Sequence, residues 1–211
     1  EIRLSLVGSE MCIRDSITYS LDLEPSGMEI DQMGNLYWEP TSAQFGQHEF
    51  IIEVQGRPGI IDKTFSIWVD RVSRDGINHV TNKVLFTRNN TSAIGQDGWF
   101  PESSGFIYNG EQGLYTGSLV ISNGKDHVVG ANLYETSTNS AYTPLTPIEY
   151  ISQIFNGFNQ NFISEYSDER SPTPMGLRIV QRSYSNASDP DHNGYVVLDY
   201  DIINETENTL D

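Results

Sequence analysis

An all-β chain is predicted from three observations: short runs of alternating apolar residues, turn residues between nearly all of them, and almost no helical periodicity. In "ITYSLDL" (17–23), Ile17, Tyr19, Leu21 and Leu23 share one face, and "EPSGM" then turns the chain. "GNLYWEP" (34–40) opens on a turn pair and runs into Leu36 and Trp38. "HEFIIEVQG" (48–56) aligns Phe50, Ile52 and Val54, and "DKTFSIWVD" (62–70) aligns Phe65, Ile67 and Val69. Strands this short and this closely spaced predict an antiparallel sandwich.

The polar, turn-rich stretch "RVSRDGINHVTN" (71–82) is expected to be a linker between a first domain at 17–70 and a second at 83–211. The second begins with "KVLFTRNN", and its "SSGFIYNGEQGLYTGSLVISNGKDHVVGANLYE" (103–135) places Gly and Asn between aromatic and β-branched runs, which predicts hairpins. One short helix is expected after Pro147, where Ile148, Ile151, Ile154 and Phe155 fall at helical spacing. "MGLRIVQRSYSN" and "GYVVLDYDIIN" then alternate as strands on either side of "ASDPDHN". The second domain is therefore expected to be another antiparallel sandwich-type domain carrying that helix.

Composition narrows the function classes. The chain has 211 residues and a net charge of −17, with 19% charged and 11% aromatic residues. Its acidity comes from scarce Lys and Arg, which suits a folded chain better than a solvating acidic one. Such a surface repels nucleic acid and anionic lipid, and no apolar run reaches membrane-spanning length.

The first sixteen residues differ from the rest. "SLVGSEMCIRDS" (5–16) resembles the translation of a transposase-type sequencing adapter, so residues 1–16 are read as adapter-derived and set aside. That block holds the single cysteine, Cys12, and its three acids and two bases; without it the net charge is −16. A secretory signal fits poorly, because Glu1, Arg3, Glu10, Arg14 and Asp15 interrupt any apolar region.

"YSLDLEPSGMEIDQMGNLYWEPTSAQFGQHEFIIEVQ", closed by "FSIWV", resembles the cadherin-like Ig domains of bacterial surface proteins over Tyr19 to Val69. The shared pattern is P-x-G-M-x-I-D, G-x-L-x-W-x-P-T and Q-x-G-x-H-x-F. The resemblance implies a truncated Ig-like/cadherin-like β-sandwich in which Met28 and Ile30 plug the core, Gly34 turns a hairpin, Trp38 fills the centre and Gly46 lets the chain cross. Cadherin repeats hold calcium through acidic motifs between repeats; none is intact here, so calcium is not carried over to this domain. The strand expected before Ile17 is missing and the chain stops at Asp211 in what reads as mid-domain, so both ends are expected to be truncated. "SGFIYNGEQGLYTGSLVIS", "GLRIVQRSYS" and "GYVVLDYDIIN" are similar to a β-rich segment of long secreted bacterial proteins, some of which carry a subtilisin-like protease elsewhere. That resemblance implies no catalytic role.

Catalytic motifs are absent: His48, His79, His127 and His192 are scattered, with no H-E-x-x-H, G-x-S-x-G, phosphate loop or C-x-x-C. Glu165, Asp168 and Glu169 in "SEYSDERSP" are open to two readings, a glycosidase-like acid and base pair or a solvated loop. Trp99, Phe100, Phe106, Tyr108, Tyr115, Tyr134 and Tyr142 would suit either sugar stacking or cross-strand packing. Sequons at Asn89, Asn90, Asn186 and Asn204 mark polar loops. "DPDHNG" (189–194) repeats the D-x-D-x-N-G opening of a calcium loop, which nominates Asp189, Asp191 and Asn193 as metal ligands with Asp199 completing the set. Position twelve of that loop is Tyr200 where an EF-hand has Glu, and a hairpin turn favours the same residues. Taken together, these features point to a non-enzymatic extracellular or cell-surface module of a larger secreted bacterial protein, acting as spacer, adhesion or accessory region. Its expected partners are neighbouring domains, extracellular polysaccharide or a cell-surface protein, with calcium the one cofactor to consider. The alternative is a polysaccharide- or substrate-binding accessory region of a secreted hydrolase such as a subtilisin-like protease.

Overall fold

A computed structural model describes residues 17–56, 59–95, 103–124, 127–130, 141–152, 157–207 and 209–210. The adapter-like residues 1–16, with Cys12, lie outside these. Among the described residues the chain is all-β, its sheets are antiparallel and no helix occurs; none is therefore long and apolar enough to cross a membrane. The chain divides into two compact units between Val69 and Asp70.

The first unit is built on a long hairpin. Strands β1 (Thr18–Asp22), β4 (Gly46–Gly56) and β5 (Gly59–Val69) form one sheet in the order β1-β4-β5, and β2 (Glu29–Ile30) pairs with β3 (Leu36–Tyr37). Phe50 stands opposite Phe65 across the β4–β5 ladder, their rings stacked at 5.7 Å. Met28, Leu36, Trp38, Phe50 and Ile52 are buried together, with Leu21, Ile30, Val54, Phe65, Ile67 and Val69 packed around them. Burying side chains of this size contributes about 1.5–3 kcal/mol each, so this cluster is the main support of the unit.

Polar residues shape its edges. Asp31 closes the β2–β3 turn by accepting the Met33 and Asn35 amides at 2.8 and 2.9 Å and the Asn35 side chain at 2.8 Å. These bonds, led by the Asn35 side chain, hold its carboxyl below the ordinary range. Gly34 ends that turn at φ 79°, and a Cβ there would meet the Tyr19 ring at 3.1 Å, so glycine is required twice over. Trp38 Nε1 donates to the Ser26 carbonyl at 3.3 Å, and the His48 ring stands edge-on to the indole at 5.1 Å.

The second unit contains two larger sheets. In one, β7 (Val84–Asn89) is central: β6 (Gly76–Val80) lies on one side, and β8 (Ala93–Gly95), β9 (Phe106–Tyr108), β10 (Glu111–Leu114) and β11 (Thr116–Ser118) complete the order β10-β9-β7-β8-β11. A separate pair joins β12 (Val120–Asn123) to β13 (His127–Gly130). The other large sheet runs β14-β16-β17-β18, made of β14 (Thr143–Pro144), β16 (Gln160–Ser167), β17 (Leu177–Ser185) and β18 (Val197–Asn204), with β15 (Glu149–Tyr150) also pairing with β16.

Two sequence expectations change here. Residues 71–82 were expected to be a linker, yet Gly76–Val80 is strand β6, held along its whole length by β7. The expected helix after Pro147 is not found: Glu149 and Tyr150 pair with Ile163 and Phe162, and the Ile151 amide donates to the Asn161 carbonyl at 2.8 Å. Ile154 and Phe155 lie outside the described residues. A helical spacing of four apolar residues is weak beside a strand edge that satisfies the same backbone groups.

Candidate functional site

Strand alternation in the second unit brings basic residues into its interior. On β7, Val84, Phe86 and Arg88 share one face, and all three are buried. His79 on β6 lies directly across from Phe86, so it points the same way. Facing them, β17 presents Leu177, Ile179, Gln181, Ser183 and Ser185 in alternation, all buried. The inner face thus grades from apolar to polar along a single strand. At its apolar end Val129, Tyr142, Tyr166, Met175, Leu177 and Ile179 form the unit's hydrophobic core.

At its polar end the two sheets are joined by one hydrogen-bonded chain. His79 Nδ1 lies 2.7 Å from Ser185 Oγ and Nε2 lies 2.8 Å from Ser183 Oγ. Arg88 donates from Nε to Ser183 Oγ and from Nη1 to Ser164 Oγ, each at 2.7 Å. Gln160 is oriented by both backbone groups of Val80, accepting the amide at 2.9 Å and donating to the carbonyl at 2.6 Å. Its Oε1 therefore also accepts the Ser185 hydroxyl proton, at 3.1 Å.

Counting donors and acceptors then assigns every proton. Ser185 has given its proton to Gln160, so its oxygen accepts from His79 Nδ1–H. The neutral ring leaves Nε2 bare to accept the Ser183 hydroxyl, and the Ser183 oxygen accepts Arg88 Nε–H. Burial, reinforced by the Arg88 charge, pushes the His79 imidazole down to about 3, so it is neutral at any ordinary pH. Burial likewise lowers the Arg88 guanidinium to about 10, which leaves it charged.

A serine hydroxyl on a histidine nitrogen is the first half of a nucleophile and base pair, but the second half is wrong for catalysis. A general base must become an imidazolium, which a carboxylate on the far nitrogen stabilises; here that nitrogen faces Ser185, and Arg88 opposes the charge. Access is closed as well, since His79, Arg88, Ser183 and Ser185 are each 0% exposed. Among the described residues no carboxylate pairs with Arg88, and its Nη2 finds no partner within the protein; nor do Gln181 Oε1 and Tyr166 Oη. The cluster bridges two sheets.

The proposed calcium ligands take up a turn. Asp189 Oδ1 accepts the Asp191 amide at 2.9 Å and Oδ2 meets His192 Nδ1 at 2.7 Å, and these bonds hold its carboxyl below the ordinary range. Asn186 Oδ1 caps the same turn through the Ser188 and Asp189 amides. Asn193 is buried while Asp191 is exposed. Asp199 stands across the β17–β18 ladder from Arg182, 3.5 Å from its Nη1. Among the described residues no three His, Cys, Asp or Glu side chains come together to hold a metal ion. Asp189 thus spends its carboxylate on the turn itself, whereas Asn193 Oδ1 is buried without a hydrogen-bond partner.

The three carboxylates of "SEYSDERSP" separate. Asp168 is buried and clamps its own loop, accepting the Met175 and Leu177 amides at 2.5 and 2.8 Å. Glu165 pairs with Arg178 at 3.1 Å and Glu169 with Arg71 at 2.9 Å. Of the sequons, Asn89, Asn90 and Asn186 are buried, and Asn90 ties the β7–β8 turn to the Ser73 and Thr146 carbonyls. Of the aromatics, Trp99, Phe100 and Tyr134 lie outside the described residues. Tyr142 is buried against Tyr166, Phe106 packs on Phe86, and Tyr108 and Tyr115 are exposed.

Sequence motifs did not single out His79, Arg88, Ser164 or Ser183. The available signal was alternation: in "VLFTR" the step from Val84 to Phe86 to Arg88 puts a cation in register with two core residues. Comparison with protein-family models, with curated proteins and with solved structures returned no match to this chain.

Proposed function

We propose that this chain is a non-catalytic module of a larger secreted or cell-surface bacterial protein: an Ig-like, cadherin-like sandwich at residues 17–70 followed by a second β unit, acting as spacer, adhesion or accessory region. One observation carries the reading. The serine–histidine contacts at Ser183 and Ser185 are sealed inside the protein, their histidine is held neutral, and a serine faces each ring nitrogen where a catalytic carboxylate would be needed on one of them. Those groups tie two sheets together, a structural use that suits a spacing module. The cadherin-like pattern over Tyr19 to Val69 supports the Ig-like assignment, and the apolar cluster around Trp38 and Phe50 is the core such a sandwich would use.

The test is covalent. Incubating the folded chain with a fluorophosphonate probe and with generic ester and peptide substrates should give neither a labelled serine nor turnover. Labelling at Ser183 or Ser185, lost in His79→Gln, would overturn the reading. The second reading, an accessory region that binds polysaccharide beside a secreted hydrolase, is favoured by exposed tyrosines in the second unit.

A further inference from the structure

Arg88 reaches a row that Ser164, Gln181 and Tyr200 form across β16, β17 and β18, each standing directly opposite the next. Its Nη1 donates to Ser164 Oγ and its Nε to Ser183 Oγ, each at 2.7 Å, which fixes the plane of the guanidinium. Nη2 is left over. Tyr166 lies two residues along β16 from Ser164 and so shares its inward face. The Arg88 charge acts on both the Tyr166 and Tyr200 phenols, behind the larger effect of their burial. Arg88, Tyr166 and Gln181 are each 0% exposed, yet Arg88 Nη2, Tyr166 Oη and Gln181 Oε1 have no hydrogen-bond partner among the described residues.

The Gln181 amide resolves part of this. It donates from Nε2 to Tyr200 Oη at 3.4 Å, a long contact. Exchanging the two ends of the amide, which have nearly the same shape, lets Oε1 accept the Tyr200 hydroxyl and turns Nε2–H to the side where Oε1 stood. Three donors, on Arg88, Tyr166 and Gln181, then share the need for one acceptor. Among the described residues no carboxylate pairs with Arg88, and neutral hydroxyls alone leave the desolvation cost of a buried guanidinium uncompensated.

We propose that Arg88, Tyr166 and Gln181 bind a small monovalent anion of the halide class, chloride being the type, between the two large sheets of the second unit. Such an ion accepts several N–H and O–H bonds at once and offsets the guanidinium charge. A water molecule would supply an acceptor and leave the charge as it is. Enclosure by fully buried side chains selects a single-atom ion over a polyatomic one.

The site does not rest on the module reading, and its test is separate from the fluorophosphonate experiment. Melting of the full chain is followed at constant ionic strength while gluconate is replaced by chloride. The second unit's transition should rise by roughly 3–6 °C for each tenfold increase in chloride above its dissociation constant. Tyr166→Phe keeps the ring and removes only the hydroxyl, so it should fold as the parent does and bind chloride roughly tenfold more weakly. Crystals of the parent soaked in bromide should show its anomalous signal beside Arg88 Nη2. Equal melting in chloride and gluconate, a chloride response that Tyr166→Phe leaves intact, or bromide density absent from Arg88 would overturn the anion site.

Discussion

The two units of this chain solve the same problem with different interiors. The first packs Met28, Leu36, Trp38, Phe50 and Ile52 into an apolar cluster and keeps its polar groups at the edges. The second has an apolar cluster at one end only; elsewhere it buries Arg88, His79, Gln181 and three hydrogen-bonded serines between its sheets. Hydrophobic packing tolerates exchange of similar shapes, whereas a buried polar chain works only if each donor finds its acceptor. The second interior therefore depends on the identity of single protons, and the first does not.

The largest expected effect lies in the first unit. Trp38→Ala removes the side chain at the centre of the apolar cluster and should cost about 3–5 kcal/mol in denaturant unfolding of the full chain, enough to unfold the unit at moderate temperature. A cost below about 1 kcal/mol would show that Trp38 is not part of a packed core.

Next comes a pH dependence that belongs to the second unit alone. The His79 imidazole has an ordinary value of 6.5, reached in the unfolded chain, and about 3 when folded. Between those values the unfolded chain binds a proton that the folded chain refuses, so stability falls as pH falls and is fully kept above about pH 6.5. This one group contributes a slope of up to about 1.4 kcal/mol per pH unit, or roughly 2–3 kcal/mol lost between about pH 6 and pH 4. His79→Gln should be less stable at neutral pH and should lack that share of the slope; an unchanged slope would place the titrating group elsewhere.

The smallest expected effect is none at all. Asp31 in the first unit accepts the Met33 and Asn35 amides and Asp189 in the second accepts the Asp191 amide, so each turn is closed without a metal. Melting of residues 17–211 in millimolar calcium and in chelator should coincide. A stabilisation by calcium that disappears in Asp191→Ala would restore a metal site to the 189–194 turn.

This contrast also explains what the sequence made legible. Strands with apolar inner faces are readable: β4 and β5 follow the alternation of Phe50, Ile52, Val54, Phe65, Ile67 and Val69, and β17 and β18 were expected nearly as they stand. Strand β16 was missed, because "QNFISEYS" points Ser164 and Tyr166 inward. A polar interior erases the period-2 signal that marks a buried strand. The same cause hid the cluster: Arg88 and His79 look like solvent-facing residues until the opposing sheet supplies Ser164, Ser183 and Ser185. The aspartates of 189–199 are conspicuous in sequence, and in the fold Asp189 closes its own turn while Asp199 faces Arg182 across the ladder.

The hydrogen-bonded chain requires a neutral His79 protonated at Nδ1 and closed by serines on both sides, and nitrogen-detected NMR of the imidazole reads that state directly. The prediction is a single neutral Nδ1–H tautomer for His79 from about pH 7 down to about pH 4. A His79 ring that is charged by about pH 6, or that carries its proton on Nε2, would contradict the hydrogen-bonded chain from Gln160 to Arg88 and with it the proposal of a non-catalytic module.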